Sequence, residues 1–483
     1  SPLPTPPSNV ASGPVRSWPR RMLNRLEVDQ AVFFAMASLA WQFLAGPITI
    51  ILIGQYFSKA VQGYYYTFWS ILALQTVFDF SLHSVLVNFA SHEWGKKGGS
   101  VTVGHQDDAG NRLASLLRGA IFGYGMVAVL FLIVVGGFGL AVLSRGQTAA
   151  EVSWRLPWLA LVTVTSINFL TTPCLAILEG CGQVKSVYHL QFLRGILGNF
   201  AAWALMLSGA SLWVTVAAAA TRLICESAWV TIRHRTFFHS ILAASGGPQV
   251  DWRKEIWPFQ WRVGVRGLLG FANTFLINPV VFYYHGEVVA GQLGMTWQIL
   301  TTLQAACMSW IRTRTMKLGV LVSQGQFAEL DRIYFRLLRI SLSILACGAI
   351  AFVVLIGVMN RFGLPLYDRM LPTLPTALFA IAIVALVIPE SQWIYIHAHK
   401  KSPHLAIAAV GAVLSLLSFW WLGRGFGALG VAIAYLGMIM LFYLPLWSLV
   451  WWNFRAQQQH EPTPGDPGSG DPGSSANDNA PNP

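Results

Sequence analysis

The chain has 483 residues, 54% of them hydrophobic and only 11% charged, where a soluble domain carries about 25% charged residues. That balance excludes an ordinary soluble globule and points to a chain built for lipid. A net charge of +12 would admit nucleic acid as a partner, but the placement of the basic residues removes the need for one.

A helix rising about 1.5 Å per residue needs roughly 20 mainly apolar residues to cross about 30 Å of hydrocarbon. Twelve stretches qualify, at 31–56, 65–91, 117–143, 156–179, 187–208, 211–233, 260–284, 288–311, 335–359, 373–396, 404–422 and 427–452. With both termini inside, most Lys and Arg residues fall in alternate connections on one side, as the positive-inside rule requires. The basic balance is therefore mainly topological. These limits divide the chain into an inner tail (1–28), a first lobe with spans one to six (29–233), an inner linker (234–259), a second lobe with spans seven to twelve (260–453) and an inner tail (454–483).

Span one contains Pro47; it is too long for a signal h-region and lacks a small-residue cleavage site, so it is expected to remain as a helix. Tyr64, Tyr65, Tyr66 and Trp69 crowd the outer end of span two, joined later by Tyr283 and Tyr284. An interfacial aromatic belt is the expectation, with sugar stacking as the sharper alternative. Deeper in span two, Asp79 and His83 are spaced to share a helix face. A carboxylate and an imidazole in low dielectric can exchange a proton, which makes them candidates for ion coupling; a hydrogen-bonded packing pair is the structural alternative. Pro173 lies in span four, Arg194 about two turns into span five, and Arg222 in the middle of span six, followed at i+4 by Glu226.

The linker "HRTFFHSILAASGGPQVDWRKEIWPF" carries a Gly-Gly-Pro break and basic ends. Arg262 and Arg266 follow at i, i+4 on the inner end of span seven, which also holds Pro279. Arg332, Arg336 and Arg339 recur on an inner amphipathic helix suited to anionic lipid. In span ten Glu390 stands beside Pro389 as a second ion-coupling candidate. Residues 456–483 and roughly the first 15 have the Pro, Gly and Ser bias of disordered segments. Cys174, Cys181, Cys225, Cys307 and Cys347 lie in apolar spans without CxxC spacing, and read as packing residues rather than metal ligands or disulfides.

"VQGYYYTFWSIL" (61–72) returns as "VAGQLGMTWQIL" (289–300), with Val, Gly, Trp, Ile and Leu at the same spacing. Each copy enters an outward-to-inward helix, span two and span eight. An offset of six spans keeps the orientation, which makes this a parallel repeat about an axis along the membrane normal. Pro47, Pro173, Pro279 and Pro389 fall in spans one, four, seven and ten, two pairs under the same shift, where each can bend its helix.

Residues 55–94, "QYFSKAVQGYYYTFWSILALQTVFDFSLHSVLVNFASHEW", resemble the exit of the first helix and the second helix of the polysaccharide flippases, the Wzx-type O-antigen and repeat-unit transporters. Their Asp-x-Gly-Leu-like element is here Asp79-Phe80-Ser81-Leu82, with Ser81 in place of Gly. "SQGQFAELDRIYFRLLRI" (323–340) and "GALGVAIAYLG" (427–437) resemble the family's segment before span nine and its last helix. The resemblance implies a multidrug/oligosaccharidyl-lipid/polysaccharide (MOP) exporter: an all-α polytopic membrane protein of about twelve helices, two six-helix bundles around a central cavity, MATE-like, in a bacterial inner membrane.

By the same resemblance, the substrate is an undecaprenyl-diphosphate-linked oligosaccharide moved from the inner to the outer leaflet, possible coupling ions are H+ or Na+, and a polysaccharide polymerase is a candidate partner. No cofactor, metal or nucleic acid is expected. A charge at the bilayer centre costs several kcal/mol, so Arg194, Arg222, Arg262 and Arg266 are the expected contacts to the diphosphate, because guanidinium forks match phosphate oxygens. Snorkelling to inner head groups is the alternative, weakest for Arg222, and its partner Glu226 is a further coupling candidate or half of a structural ion pair. A cation-coupled exporter would favour an acidic cavity. A polymerase or ligase would carry a large outer catalytic loop, and the connections near 144–155 and 360–372 are short.

Overall fold

The computed structural model describes residues 30–96, 108–243, 249–258, 276–398 and 405–460, with 260, 261, 264, 265 and 268. Among these, eight helices are long and apolar enough to cross a membrane, and they belong to a multi-pass membrane protein. In chain order the helices are α1 (Gln30–Tyr56), α2 (Lys59–Leu72), α3 (Gln75–Asp79), α4 (Leu82–Lys96), α5 (Asp108–Leu143), α6 (Arg155–Asn168), α7 (Thr172–Gly180), α8 (Val184–Leu207) and α9 (Trp213–Ala228). There follow α10 (Arg235–Ala243), α11 (Ile277–Arg312), α12 (Thr315–Ser323), α13 (Phe327–Arg361), α14 (Thr373–Ala398), α15 (Leu405–Gly437) and α16 (Leu444–His460).

The twelve predicted spans map onto these with informative departures. Span two is three pieces, α2 to α4, with a turn at Ala73 and Leu74 between the first two and left-handed backbone at Phe80 and Ser81, φ 46° and 57°, between the last two. Span four is α6 and α7. Span six is α9 continued by a π-helical turn, Trp229–Arg233. Spans seven and eight meet inside α11 at Gly286, whose φ of 82° breaks the helix, and most of span seven lies outside the described residues. Spans eleven and twelve meet at Gly427, φ 60°, where the chain folds back on itself: Phe419 packs on Tyr435 with ring centroids 6.1 Å apart, and Tyr443 lies against Gly411. The last helix runs to His460, beyond the limit of 453 expected from hydropathy.

The prolines divide in a way that the sequence does not anticipate. Pro47 and Pro389 sit inside continuous helices, where each removes a backbone hydrogen bond. Pro173 stands in the first turn of α7, and Pro279 near the start of α11. A missing N–H costs nothing in a first turn. The matched pairs therefore do not bend matched helices alike.

Among the described residues the most extensive helix pairing is between α2 and α11, which brings the two repeat copies together. A Cβ on Gly63 would fall 1.9 Å from the Glu287 carbonyl oxygen, and one on Gly291 would fall 2.9 Å from the Gly63 nitrogen. Three residues on, Gly294 packs against Tyr66. Gly63 with Gly291, and Tyr66 with Gly294, are equivalent positions of the repeat, so the pseudo-twofold axis runs between them. Small residues let membrane helices approach this closely.

On the face that the sequence assigns to the outside, the lobes are latched twice. Glu287, 2% exposed, accepts from the Gln147 and Thr148 backbone N–H groups at 2.9 and 3.0 Å and from the Thr148 hydroxyl at 2.8 Å. In the opposite sense Gln62 donates to the Gly291 and Arg369 carbonyls, both at 2.9 Å, and Lys59 reaches Asp368 at 2.8 Å. Lys59 and Glu287 are equivalent positions of the repeat with opposite charge, each gripping an outer connection of the other lobe.

At the opposite end the linker is strapped to the first lobe. The Val250 N–H donates to Ser115 Oγ at 3.1 Å, Trp252 packs on Gly119, and Arg112 bridges Glu93 at 3.2 Å and Glu255 at 2.5 Å.

Candidate functional site

The first lobe holds a partly open cavity of about 260 Å3 among spans one, two, five and six, lined chiefly by Thr49, Tyr65, Trp69, Arg194, Asn199 and Arg222. It exists because α8 and α9 present small residues there, Gly195, Gly198, Ala202 and Ala218, which leave room between two helices that otherwise pack along their length. Both arginines are only partly covered, with side chains 24% and 38% exposed.

Beneath them lies Glu226, whose side chain is 0% exposed. The Arg222 Nε donates to its Oε1 at 2.9 Å, a contact that the i, i+4 spacing within α9 produces. Arg194, brought from α8, donates to the same oxygen. The other oxygen, Oε2, accepts from the Thr171 hydroxyl at 2.5 Å. Thr171 occupies the break between α6 and α7 that precedes Pro173, so the interruption of span four delivers that hydroxyl. One carboxylate thus sits between two guanidiniums, and the three groups together carry one positive charge towards the cavity.

The structure brings Arg194, Arg222 and Glu226 into one cluster. Arg262 and Arg266 lie outside the described residues. Asp79 and His83 do not share one continuous helix face, because the left-handed residues Phe80 and Ser81 come between them, but the two still interact electrostatically. The Asp79 carboxylate instead accepts from the Tyr124 hydroxyl at 2.5 Å and from the His83 backbone N–H, while the His83 ring faces Glu179 at 3.3 Å. Glu390 is remote from the first-lobe cluster: it is hydrogen-bonded to Gln304, and its Oε2 has no hydrogen-bond partner among the described residues.

The aromatic belt is corrected too. Tyr64, Tyr65 and Tyr66 are buried; Tyr65 lines the cavity with Trp69, and Tyr66 lies at the lobe interface. Tyr283 and Tyr284 are exposed as expected. Sequence reasoning missed Thr171, Glu287 and Gln62. Only Glu287 left a trace, as the charged counterpart of Lys59 in the repeat, while Thr171 is an ordinary hydroxyl in an apolar stretch.

No protein-family model matches the chain, and no curated protein matches it in sequence. Its fold, by contrast, is similar to solved structures. The lipid II flippase MurJ in an inward closed conformation shares 13% identity, with 89% of this chain and 91% of that one covered and a TM-score of 0.62. A MOP superfamily transporter from Pyrococcus furiosus shares 12%, covering 90% and 97%, with a TM-score of 0.53. An inward-facing multidrug resistance MATE family transporter shares 13%, covering 85% and 98%, with a TM-score of 0.51. With overlap along nearly the whole chain and an all-helical architecture, this protein has the fold of the MOP superfamily transporters.

Proposed function

We propose that the protein flips an undecaprenyl-diphosphate-linked oligosaccharide repeat unit across a bacterial inner membrane by alternating access, for assembly of a cell-surface polysaccharide. The observation that carries this reading is the pair Arg194 and Arg222 facing a cavity within the first lobe. Such a pair suits a diphosphate, whose oxygens take guanidinium forks bidentately. At about 260 Å3 the cavity falls below the roughly 300–1,000 Å3 of a pocket that encloses a drug-sized ligand. It therefore accommodates a charged head-group fragment, with the sugars and the lipid tail lying elsewhere.

The double latch on one face supports alternating access. It holds the lobes together there through polar contacts from both, so opening requires those contacts to exchange for water. Two six-helix lobes hinged along α2 and α11 can rock about that seam. A drug exporter for organic cations is the second reading. Glu390, a half-buried carboxylate in the second lobe, favours it, whereas the net positive first-lobe cluster does not.

The test is flipping by purified protein in liposomes that hold a fluorescent undecaprenyl-diphosphate oligosaccharide, read with an outer-leaflet quencher, with Arg222→Ala as the comparison. Transfer by the wild type that is lost in the variant supports both the function and the site. Transfer retained in the variant keeps the function and removes Arg222 from it. No transfer with several glycans, together with proton-driven efflux of small cations, overturns the reading in favour of the exporter.

A further inference from the structure

Glu226 has a geometry that a plain structural ion pair does not need. A single oxygen, Oε1, receives both guanidiniums, Arg222 at 2.9 Å and Arg194, so one anionic oxygen serves two charged donors. The carboxylate is fully covered while the two arginines, which line the cavity, keep 24% and 38% of their side chains exposed. Arg222 uses only its Nε on Glu226, and no other protein acceptor for either guanidinium is seen among the described residues. An anion entering the cavity therefore meets donors whose opposite sides are already held by an internal anion.

Resting on the flippase reading, we propose that Glu226 is an internal counter-ion that a diphosphate of the substrate displaces from Arg194 and Arg222, and that the displaced carboxylate takes up a proton. The argument is one of charge in low dielectric. At rest the cluster is two guanidiniums and one carboxylate. A diphosphate diester brings one negative charge on each phosphorus, which matches the two arginines and leaves Glu226 without a cation. A buried, unpaired carboxylate is costly enough that it binds a proton instead. The loaded site is then neutral overall, the cheapest state in which to carry a head group past hydrocarbon.

The surroundings fit this exchange. From span four the Thr171 hydroxyl holds Oε2 at 2.5 Å and can stay there, since a hydroxyl accepts from a carboxylic acid as readily as it donates to a carboxylate. Arg194 comes from span five, and Arg222 and the thiol of Cys225 from span six itself; Tyr65, from span two, lines the same cavity. Apart from Glu226, no carboxylate faces the two guanidiniums among the described residues, so the proton has one place to go.

The test is calorimetric titration of the purified full chain with UDP-glucose, a soluble diphosphate diester whose phosphates stay singly ionised across neutral pH. Repeating it in two buffers of different ionisation enthalpy counts the protons taken up. The wild type should take up close to one proton per ligand bound, with Kd rising up to about tenfold per pH unit. Glu226→Gln should bind more tightly, with no proton uptake and a flat pH profile, while Arg222→Ala should lose binding. The wild-type proton count needs no variant, so a misfolded Glu226→Gln protein leaves the test intact.

Binding without proton uptake, a Gln variant that binds more weakly or still takes up protons, or no binding at all overturns the inference. Proton-linked binding by a protein that does not flip lipid-linked oligosaccharide keeps the exchange and discards the flippase. Flipping without proton uptake does the reverse.

Discussion

Gly63 and Gly291 stand at the same place in the two copies of the repeated segment, and in the folded protein they touch. A Cβ on Gly291 would lie 2.9 Å from the Gly63 nitrogen, and one on Gly63 would lie 1.9 Å from the carbonyl of Glu287. Equivalent residues meet only on a symmetry axis. The repeat is therefore a structural device: it provides two matched helices that can cross at backbone distance where the lobes join.

Overpacking this seam should be expensive. Gly63→Ala is expected to lower stability by about 1–3 kcal/mol, the usual cost of forcing an added carbon into a packed interior. Gly137→Ala, at a position with nothing within 4 Å of a new Cβ, is the neutral comparison. Thermal unfolding of the two variants in detergent decides the matter; equal midpoints would mean that the seam yields freely.

The latch at Glu287 predicts a shift between states. Glu287→Gln removes the charge from three accepted hydrogen bonds to Gln147 and Thr148. Bonds to a charged group contribute about 1.5–3 kcal/mol each, and about 1.4 kcal/mol is tenfold in a population. Spin labels at the exposed residues Ser144 and Phe362 should report a longer distance in a fraction raised at least about tenfold. An unchanged distance distribution would assign the closure to Gln62, Lys59 and their partners.

Ser81 occupies a left-handed conformation, φ 57°, a region that favours glycine. A side chain in that region costs roughly 1–2 kcal/mol. Ser81→Gly should therefore raise stability by up to about 1 kcal/mol after the extra freedom of glycine in the unfolded chain is counted, seen as a higher unfolding midpoint. A lower midpoint would show that the Ser81 side chain contributes more than the backbone strain costs.

The linker strap has a pH dependence of defined sign. Arg112, hydrogen-bonded at 2.5 Å, holds the Glu255 carboxyl below its usual range. A depressed carboxyl stabilises the docked state above the unfolded value of about 4.3, and that contribution fades as pH falls through the lower folded value. Limited proteolysis within the linker with an acid-active protease should accelerate as pH drops below about 4. Arg112→Ala should cut faster at neutral pH and flatten the acid response. A wild-type rate that is level across this window would place the docking on Trp252 and Val250 alone.

What the sequence determined by itself was set by depth and period. Apolar runs long enough to cross lipid are written locally, residue by residue, as is the segment that returns from span two to span eight. These sufficed for the helical membrane fold, and they placed Arg194 and Arg222 within apolar spans as candidate cavity residues. Partnerships were decided by tertiary structure. Thr171 and Arg194 reach Glu226 from other helices, Gln147 and Thr148 reach Glu287 from the other lobe, and Tyr65 turns inward rather than into an interfacial belt. Such contacts depend on how each helix is rotated about its axis and where it breaks, as at Phe80 and Ser81. Burial against many distant neighbours fixes that rotation, and no local pattern along the chain encodes it.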